Sequence, residues 1–475
     1  MRLTVLTHDI EAVPTPPPPP IILQSPYRSE ANVMASLAKP DDWVPQPGEW
    51  PVDPQEDVPI SDERIWVDGC FDFAHHGHAG AMLQARRLGN ELLVGIHSDE
   101  AIREHKGPTV MTLDERVAAV SACRWATLPV PYAPYVTQLS WITHYGARYV
   151  VHGDDITSDS SGEDCYRFVK AAERFKVVKR TPGISTTDLV GRMLLYTKTH
   201  FIRSFEAVLD GKEGSGSDEE RKVRGKEMKT RIAEYASDAS GHNPWCEVCT
   251  WRANVDVDGG EISQMVAGRG PQPGQRVVYV DGGFDLFSSG HIEFLRRVVG
   301  TELERARTSG WYDEQATEKR KLETESDYEP VFVVAGVHDD EVINRHKGVN
   351  YPIMNIFERG LCVLQCKYIN AVVFSAPFAP VASYLKALPH GIPDAVYHGP
   401  TDFMPTELDP YADARQLGIF CEIPHHPYSE INARQIVERI LKNRSEFEAR
   451  QRAKGFKAEL EEKILQQEAE QATAI

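Results

Sequence analysis

The chain has 475 residues, 41% hydrophobic and 26% charged, a globular composition long enough for two or three domains. Its 52 basic residues against 70 acidic ones leave a net charge of −18, which argues against a nonspecific binder of nucleic acid or anionic membrane and requires any phosphate site to be local. No run approaches the roughly 18 apolar residues of a membrane span and the N-terminus lacks a basic-then-apolar signal, so the chain reads as cytoplasmic, without stable membrane insertion.

Residues 1–60, with "PTPPPPP" and "VDPQEDVP", cannot sustain a packed core and read as a disordered Pro-rich tail. From 61 to 204, short apolar runs ("RIWVD", "LLVGIH", "YVVHGDD") alternate with helix-like stretches ("GAMLQARRLG", "DERVAAVSACRW", "DCYRFVKAAERF"). That alternation predicts an α/β domain with a doubly wound parallel sheet of the Rossmann-like type. Residues 205–274, containing "DGKEGSGSDEERKVRGKE", read as a partly disordered linker. A second alternating region covers 275–443, and 444–475 reads as a charged, solvated C-terminal helix or tail.

The second region repeats the first. "VDGCFDFAHHGHAGAM" returns as "VDGGFDLFSSGHIEFL", pairing Asp68 with Asp281 and His78 with His291, and "LVGIHSDEAIREHKG" returns as "VAGVHDDEVINRHKG", pairing Lys106 with Lys347. The second copy carries a charged insertion around "SGWYDEQATEKRKLETESDYEP". The chain is therefore a tandem of one α/β fold. The eight cysteines are scattered as reduced thiols; Cys246 and Cys249 have zinc-like spacing but no second Cys/His pair nearby, so no metal site is assigned.

Chemistry concentrates in the first copy. In "VDGCFDFAHHGHAG", His75 and His78 flank Gly77 at a strand-to-helix turn, where the helix N-terminus offers free N–H groups to an anion. Two imidazoles beside those donors suit oxygens that gain charge during a reaction. In "KRTPGISTT", Arg180, Thr181, Ser185, Thr186 and Thr187 crowd a cation and hydroxyls into a loop that Gly183 opens, a cradle for polyphosphate. Lys106, in "EHKGP", is a loop lysine able to meet a phosphate as a point charge. No nucleophile with a visible base accompanies them, which fits an attacker that is already an anion. A phosphomonoester, with a second pKa of about 6, is such an attacker, aimed in line at a nucleotide α-phosphate.

The H-x-G-H turn together with "RTPGISTT" resembles the cytidylyltransferase family, over about residues 63–203 and again over 275–442, and the tandem arrangement resembles its branch acting on phosphoethanolamine. The resemblance implies two nucleotidyltransferase domains and transfer of CMP from CTP to phosphoethanolamine, giving CDP-ethanolamine and pyrophosphate on the route to phosphatidylethanolamine. His75, His78 and Lys106 become the expected catalytic residues. Gly69, Cys70, Phe71, Gly77, Arg116, His152, Gly153, Asp154, Asp155, Arg180, Thr181, Gly183, Ile184, Ser185 and Thr186 become the expected CTP contacts, with Mg²⁺ arriving on the nucleotide. Tyr135, Asp164 and Tyr166 are the candidates for the substrate amine, because a primary ammonium needs acceptors where a quaternary one needs an aromatic cage. The expected partners are these small molecules, with no nucleic acid; a homodimer and a peripheral seat at the endoplasmic reticulum are compatible with the same reading.

The chain departs from the family pattern in "RWATLPV", which lacks the usual acidic residues, and in its second copy. There Ser288 replaces the first histidine, and "PYSEINARQ" answers the hydroxyl loop, so that Asn432 and Ala433 stand opposite Ser185 and Thr186. A catalytically silent second copy follows. Two alternatives stay open at this stage: the same reaction on another alcohol phosphate such as phosphocholine, and a non-catalytic nucleotide-binding scaffold.

Overall fold

Parallel strands buried on both faces read as continuous apolar runs, and the central strands of this chain are of that kind. The computed structural model describes residues 57–155, 157–195, 198–254, 259–348, 350–400, 409–450 and 452; the proline-rich stretch and most of the C-terminal tail lie outside them. Strands β1 (Ser61–Gly69), β2 (Glu91–Ile96), β3 (Leu128–Pro131), β4 (Ala147–Gly153) and β5 (Phe175–Val178) form an all-parallel sheet in the order β3-β2-β1-β4-β5. After β6 (Glu247–Asn254) and β7 (Gly259–Val266) come β8 (Arg276–Gly282), β9 (Val331–Val337), β10 (Ala371–Phe374), β11 (Ala395–His398) and β12 (Phe420–Glu422). The second sheet runs β12-β11-β8-β9-β10-β6-β7, so that β10-β9-β8-β11-β12 reproduces the first sheet strand for strand. Leu92–Ile96 and the whole of β9 are buried. The two doubly wound α/β domains expected from the repeat are both present.

The named helices, in chain order, are α1 (His76–Arg86), α2 (Asp99–Lys106), α3 (Leu113–Ser121), α4 (Thr186–Leu195), α5 (Asp218–Tyr235), α6 (Ser289–Thr308), α7 (Asp340–Lys347), α8 (Ile356–Leu364) and α9 (Ala433–Lys442). Residues 205–274 correct the sequence reading, because this segment is not a linker. Ser217 and Glu220 form a capping box that starts α5, and Met228, Ile232 and Tyr235 recur along one helical face that is buried. Strand β6 pairs parallel with β10 and antiparallel with β7, extending the second sheet. Cys246 and Cys249 are buried there as core residues, with Arg124 Nη2 donating to Cys246 Sγ at 3.0 Å.

The two sheets meet across a pseudo-twofold seam. Helix α1 packs on α8 and α3 on α6, while Arg124 N donates to Gln365 O (2.7 Å) and Lys367 N to Ala122 O (2.9 Å). Each domain's last helix also grips the other domain. Arg192 of α4 forks onto Glu358 (2.7 and 2.9 Å), and Arg439 of α9 forks onto Glu115 (2.7 and 2.8 Å).

Candidate active site

Strand β1 ends in a turn in which Phe71, Phe73 and Ala74 all have positive φ (55°, 64° and 40°), a conformation that costs non-glycine residues energy and survives only where neighbours enforce it. Asp72 does so: its buried carboxylate accepts from Val110 N (2.9 Å) and Met111 N (2.8 Å). Across the seam, Gln365 Nε2 donates to Ala74 O at 3.0 Å. The turn delivers His75 to the N-cap of α1, where its Nδ1 accepts from Gly77 N (3.1 Å), and sets its ring against His78 with centroids 3.9 Å apart and 19° between planes.

The "RTPGISTT" loop comes down on this turn. A Cβ at Gly77 would sit 2.7 Å from Ile184 Cγ2 and 2.9 Å from the His75 ring, and one at Gly80 would sit 2.2 Å from Thr181 Oγ1, so only glycine admits so close an approach. Tyr235 of α5 fixes the junction from behind, donating to His76 O and lying beside Thr181. Ser185 Oγ accepts from Asp188 N at 3.0 Å, and Thr186 opens α4. Arg180 N reaches Asp154 Oδ1 (3.2 Å), which ties the loop to the end of β4, where His152, Gly153 and Asp155 also stand.

Lys106 closes α2, with Nζ 5.6 Å from the centre of the Tyr135 ring, which stacks on His105 at 4.0 Å. Burial lowers the basicity of His97 to about 4, and His97 also feels the Asp68 carboxylate and the Lys106 ammonium; burial likewise lowers His152, which feels the same two charges. Lys106 and Asp68 therefore both lie near the His97 and His152 imidazoles, at the carboxyl ends of β1, β2 and β4. Asp68 is buried at the end of β1, accepting from Tyr166 OH (2.8 Å), Thr137 Oγ1 (2.6 Å) and Trp66 Nε1 (2.8 Å). Sequence reasoning paired it with Asp281 but gave it no role at the site. The available signal was its recurrence as Asp281 at the same strand end.

Two sequence assignments are corrected. Arg116 is fully buried and spends its guanidinium on Met111 O (3.3 Å), Cys70 O (2.7 Å) and Asp99 Oδ1 (2.7 Å), so it braces the turn from inside and has no face toward a nucleotide. Asp164 accepts from Tyr166 N (2.9 Å) and pairs with Lys170, so it orders the start of a helix; the carboxylate that Tyr166 faces is Asp68. The thiol of Cys70, pushed up to about 11 by burial and by Asp72, is no nucleophile at neutral pH.

The second copy keeps the frame and loses the cradle. Asp285 holds Ile353 N and Met354 N as Asp72 holds its pair, and Arg359 repeats the Arg116 brace on Met354 O, Gly283 O and Asp340. Ser288 Oγ, however, donates to Ile431 O (2.7 Å), and that carbonyl lies 2.2 Å from where a Cβ of Gly290 would be. A carbonyl oxygen thus stands over the start of α6, where the first copy places the Ile184 methyl and the His75 ring, so that an acceptor repelling anions replaces an imidazole. Asn432 caps α9 through Gln435 N (3.1 Å) and Ala433 follows it, leaving no hydroxyl pair. His291, held to about 3 by burial, hydrogen-bonds the Ser288 backbone through Nδ1.

Comparison with known proteins agrees with this geometry. The cytidylyltransferase-like family model matches residues 66–192. The chain is 40% identical to the ethanolamine-phosphate cytidylyltransferase of Mus musculus, covering 83% of this chain and 89% of that protein. It is 37% identical to that of Dictyostelium discoideum, covering 83% and 95%. Its match to choline-phosphate cytidylyltransferase A of Rattus norvegicus is 35% but spans only 30% of this chain and 41% of that protein.

Proposed function

The chain belongs to the ethanolamine-phosphate cytidylyltransferase family and so transfers CMP from CTP to phosphoethanolamine with release of pyrophosphate, and we propose that it does so at the carboxyl end of the first sheet alone. The observation that carries this reading is the gathering of the stacked His75–His78 pair, the Thr181–Thr186 loop, Lys106 and Asp68 around one strand end.

In this reading the triphosphate lies across the start of α1, with its β- and γ-phosphates on Arg180, Thr181, Ser185 and Thr186. The backbone at Gly69 to Phe71 and the His152–Asp155 turn frame the cytidine. A phosphoethanolamine oxygen attacks the α-phosphorus in line as the bond to the β-bridging oxygen breaks, and the electron pair leaves with pyrophosphate. His75 and His78 donate to the oxygens that gain charge, and Lys106 spans the two phosphates, so that the protein's contribution is alignment and charge stabilisation. Among the described residues no group of three His, Cys, Asp or Glu side chains is placed to cage an ion. Mg²⁺ arriving on the nucleotide would be held mainly by phosphate oxygens, where it would neutralise the triphosphate.

Asp68 and Tyr166 form the end of the crevice suited to the amine, with the Tyr135 ring beside it. A primary ammonium carries three N–H donors that a buried carboxylate and a phenol can accept, which a trimethylated head cannot use. The deciding experiment supplies CTP and Mg²⁺ with either phosphoethanolamine or phosphocholine and measures pyrophosphate. Release with phosphoethanolamine far above phosphocholine is expected; equal release removes the role given to Asp68, and none with either overturns the reading. No helix among the described residues is long and apolar enough to cross a membrane. A cytoplasmic site peripheral to the endoplasmic reticulum fits small ionic substrates and a product destined for a membrane lipid. A homodimer would use other faces than the seam, which is filled within one chain.

A further inference from the structure

The silent copy has lost one half of the crevice only. At the end of β8, Tyr411 OH donates to Asp281 Oδ1, as Tyr166 does to Asp68 in the first copy. His398 lies against Tyr411 with ring centroids 5.0 Å apart, matching 4.7 Å for His152 and Tyr166. His346 stacks on Phe378 at 3.9 Å, matching His105 on Tyr135 at 4.0 Å. Lys347 closes α7 before a left-handed Gly348 (φ 93°), as Lys106 closes α2 before Gly107 (φ 89°), and its charge is felt by both His291 and His338.

One difference sharpens the comparison. The Thr137 hydroxyl that donates to Asp68 Oδ2 is lost here to Pro380, and Trp66 is replaced by Tyr279, whose hydroxyl lies near Asp281 but donates to Tyr384 OH (3.2 Å). Asp281 Oδ2 is buried without a hydrogen-bond partner among the described residues. Burial pushes the carboxyl up to about 7. An aromatic-walled carboxylate with an unused oxygen, in a domain whose Lys347 holds the sequence and helix-end position of Lys106, is complementary to a small molecule with an ammonium at one end and a phosphate at the other.

We propose that the second domain binds an amino-alcohol phosphate without turning it over, its primary ammonium on Asp281 and Tyr411 and its phosphate toward Lys347. The choice of phosphoethanolamine as ligand rests on the function given above for the first domain. The closed Ile431 carbonyl and the missing hydroxyl loop leave no cradle for a triphosphate, so the bound molecule meets no partner to react with.

Equilibrium dialysis of the full chain with radiolabelled phosphoethanolamine tests this. A CTP whose α,β-bridging oxygen is replaced by methylene keeps the first domain loaded and unreactive. Two equivalents per chain are expected, one lost in Asp281→Asn and the other in Asp68→Asn, with Tyr411→Phe weakening the same equivalent as Asp281→Asn. A single equivalent in the wild type, or two that neither Asp281→Asn nor Tyr411→Phe affects, overturns the proposal. Turnover with ordinary CTP is measured alongside. A chain that turns over yet binds one equivalent sinks this inference alone, whereas a chain inert toward amino-alcohol phosphates sinks the reading on which the ligand was chosen, and this inference with it.

Discussion

The two sheets are the same machine at two stages of completeness, and their difference separates scaffold from chemistry. What recurs with the same bonds in both, the Asp72 and Asp285 clamps, the Arg116 and Arg359 braces and the reciprocal Arg439–Glu115 and Arg192–Glu358 forks, holds the turn and the lysine loop in shape. What stands only in the first, His75 and the hydroxyl loop on the start of α4, is what the proposed transfer would use. A buried arginine beside a site is easily taken for a ligand contact; its repetition in a copy without a cradle marks it as structural.

Breaking the comparison at its sharpest point gives the largest effect. His75→Ser writes the second copy's residue into the first and should lower turnover by about 100-fold at saturating substrates, the loss of one oxyanion-type donor, with the fold intact by circular dichroism. Near-normal turnover would mean that the imidazole at this position is dispensable.

The forks come next. Arg192→Ala strands the buried Glu358 and should cost about 3 kcal/mol; Arg439→Ala, whose guanidinium is more exposed, should cost roughly 2 kcal/mol, both read as shifts of the urea unfolding midpoint. The reverse order, or no shift, contradicts the picture of two domains latched by these pairs.

A smaller difference is set by pH. The Asp281 carboxyl is raised to about 7 on folding, so between about pH 4 and 7 the folded chain keeps a proton that the unfolded chain has released. That contribution to stability is complete below the window and is lost as pH climbs through it. Tyr411, Tyr279, Tyr384 and His398 are the titratable groups near this carboxylate among the described residues. In Asp281→Asn the fall should flatten, and an unchanged stability profile would show that Asp281 is already paired. Smallest of all is the expected response to Ser288→His. Without an open loop the restored imidazole should yield no detectable product in a chain whose first domain is inactivated; any recovered turnover would make the single histidine, rather than the closed cradle, the cause of silence.

Much of this was legible in the sequence because repetition at long range is hard to produce by chance. "VDGCFDF" and "VDGGFDL" fixed the tandem, and "HHGH" with "RTPGISTT" against "SSGH" with "YSEINAR" located the asymmetry. What escaped notice depended on spatial contacts. Averaged composition hid α5, although Ser217 and Glu220 spell a capping box and Met228, Ile232 and Tyr235 keep helical spacing. Asp164 lies close to Tyr166 in sequence and drew the amine role, but hydrogen bonding sends that tyrosine to Asp68, far back in the chain. Arg116 looked like a ligand contact because no sequence pattern reveals that Cys70 O and Asp99 consume its donors.

The central claim is that all turnover belongs to the first sheet. It is tested most directly by pyrophosphate release from the full-length chain carrying His78→Ala, with saturating CTP, Mg²⁺ and phosphoethanolamine. The account predicts a fall of at least ~100-fold from wild type with folding preserved. Wild-type release from that variant would place the reaction elsewhere and contradict it.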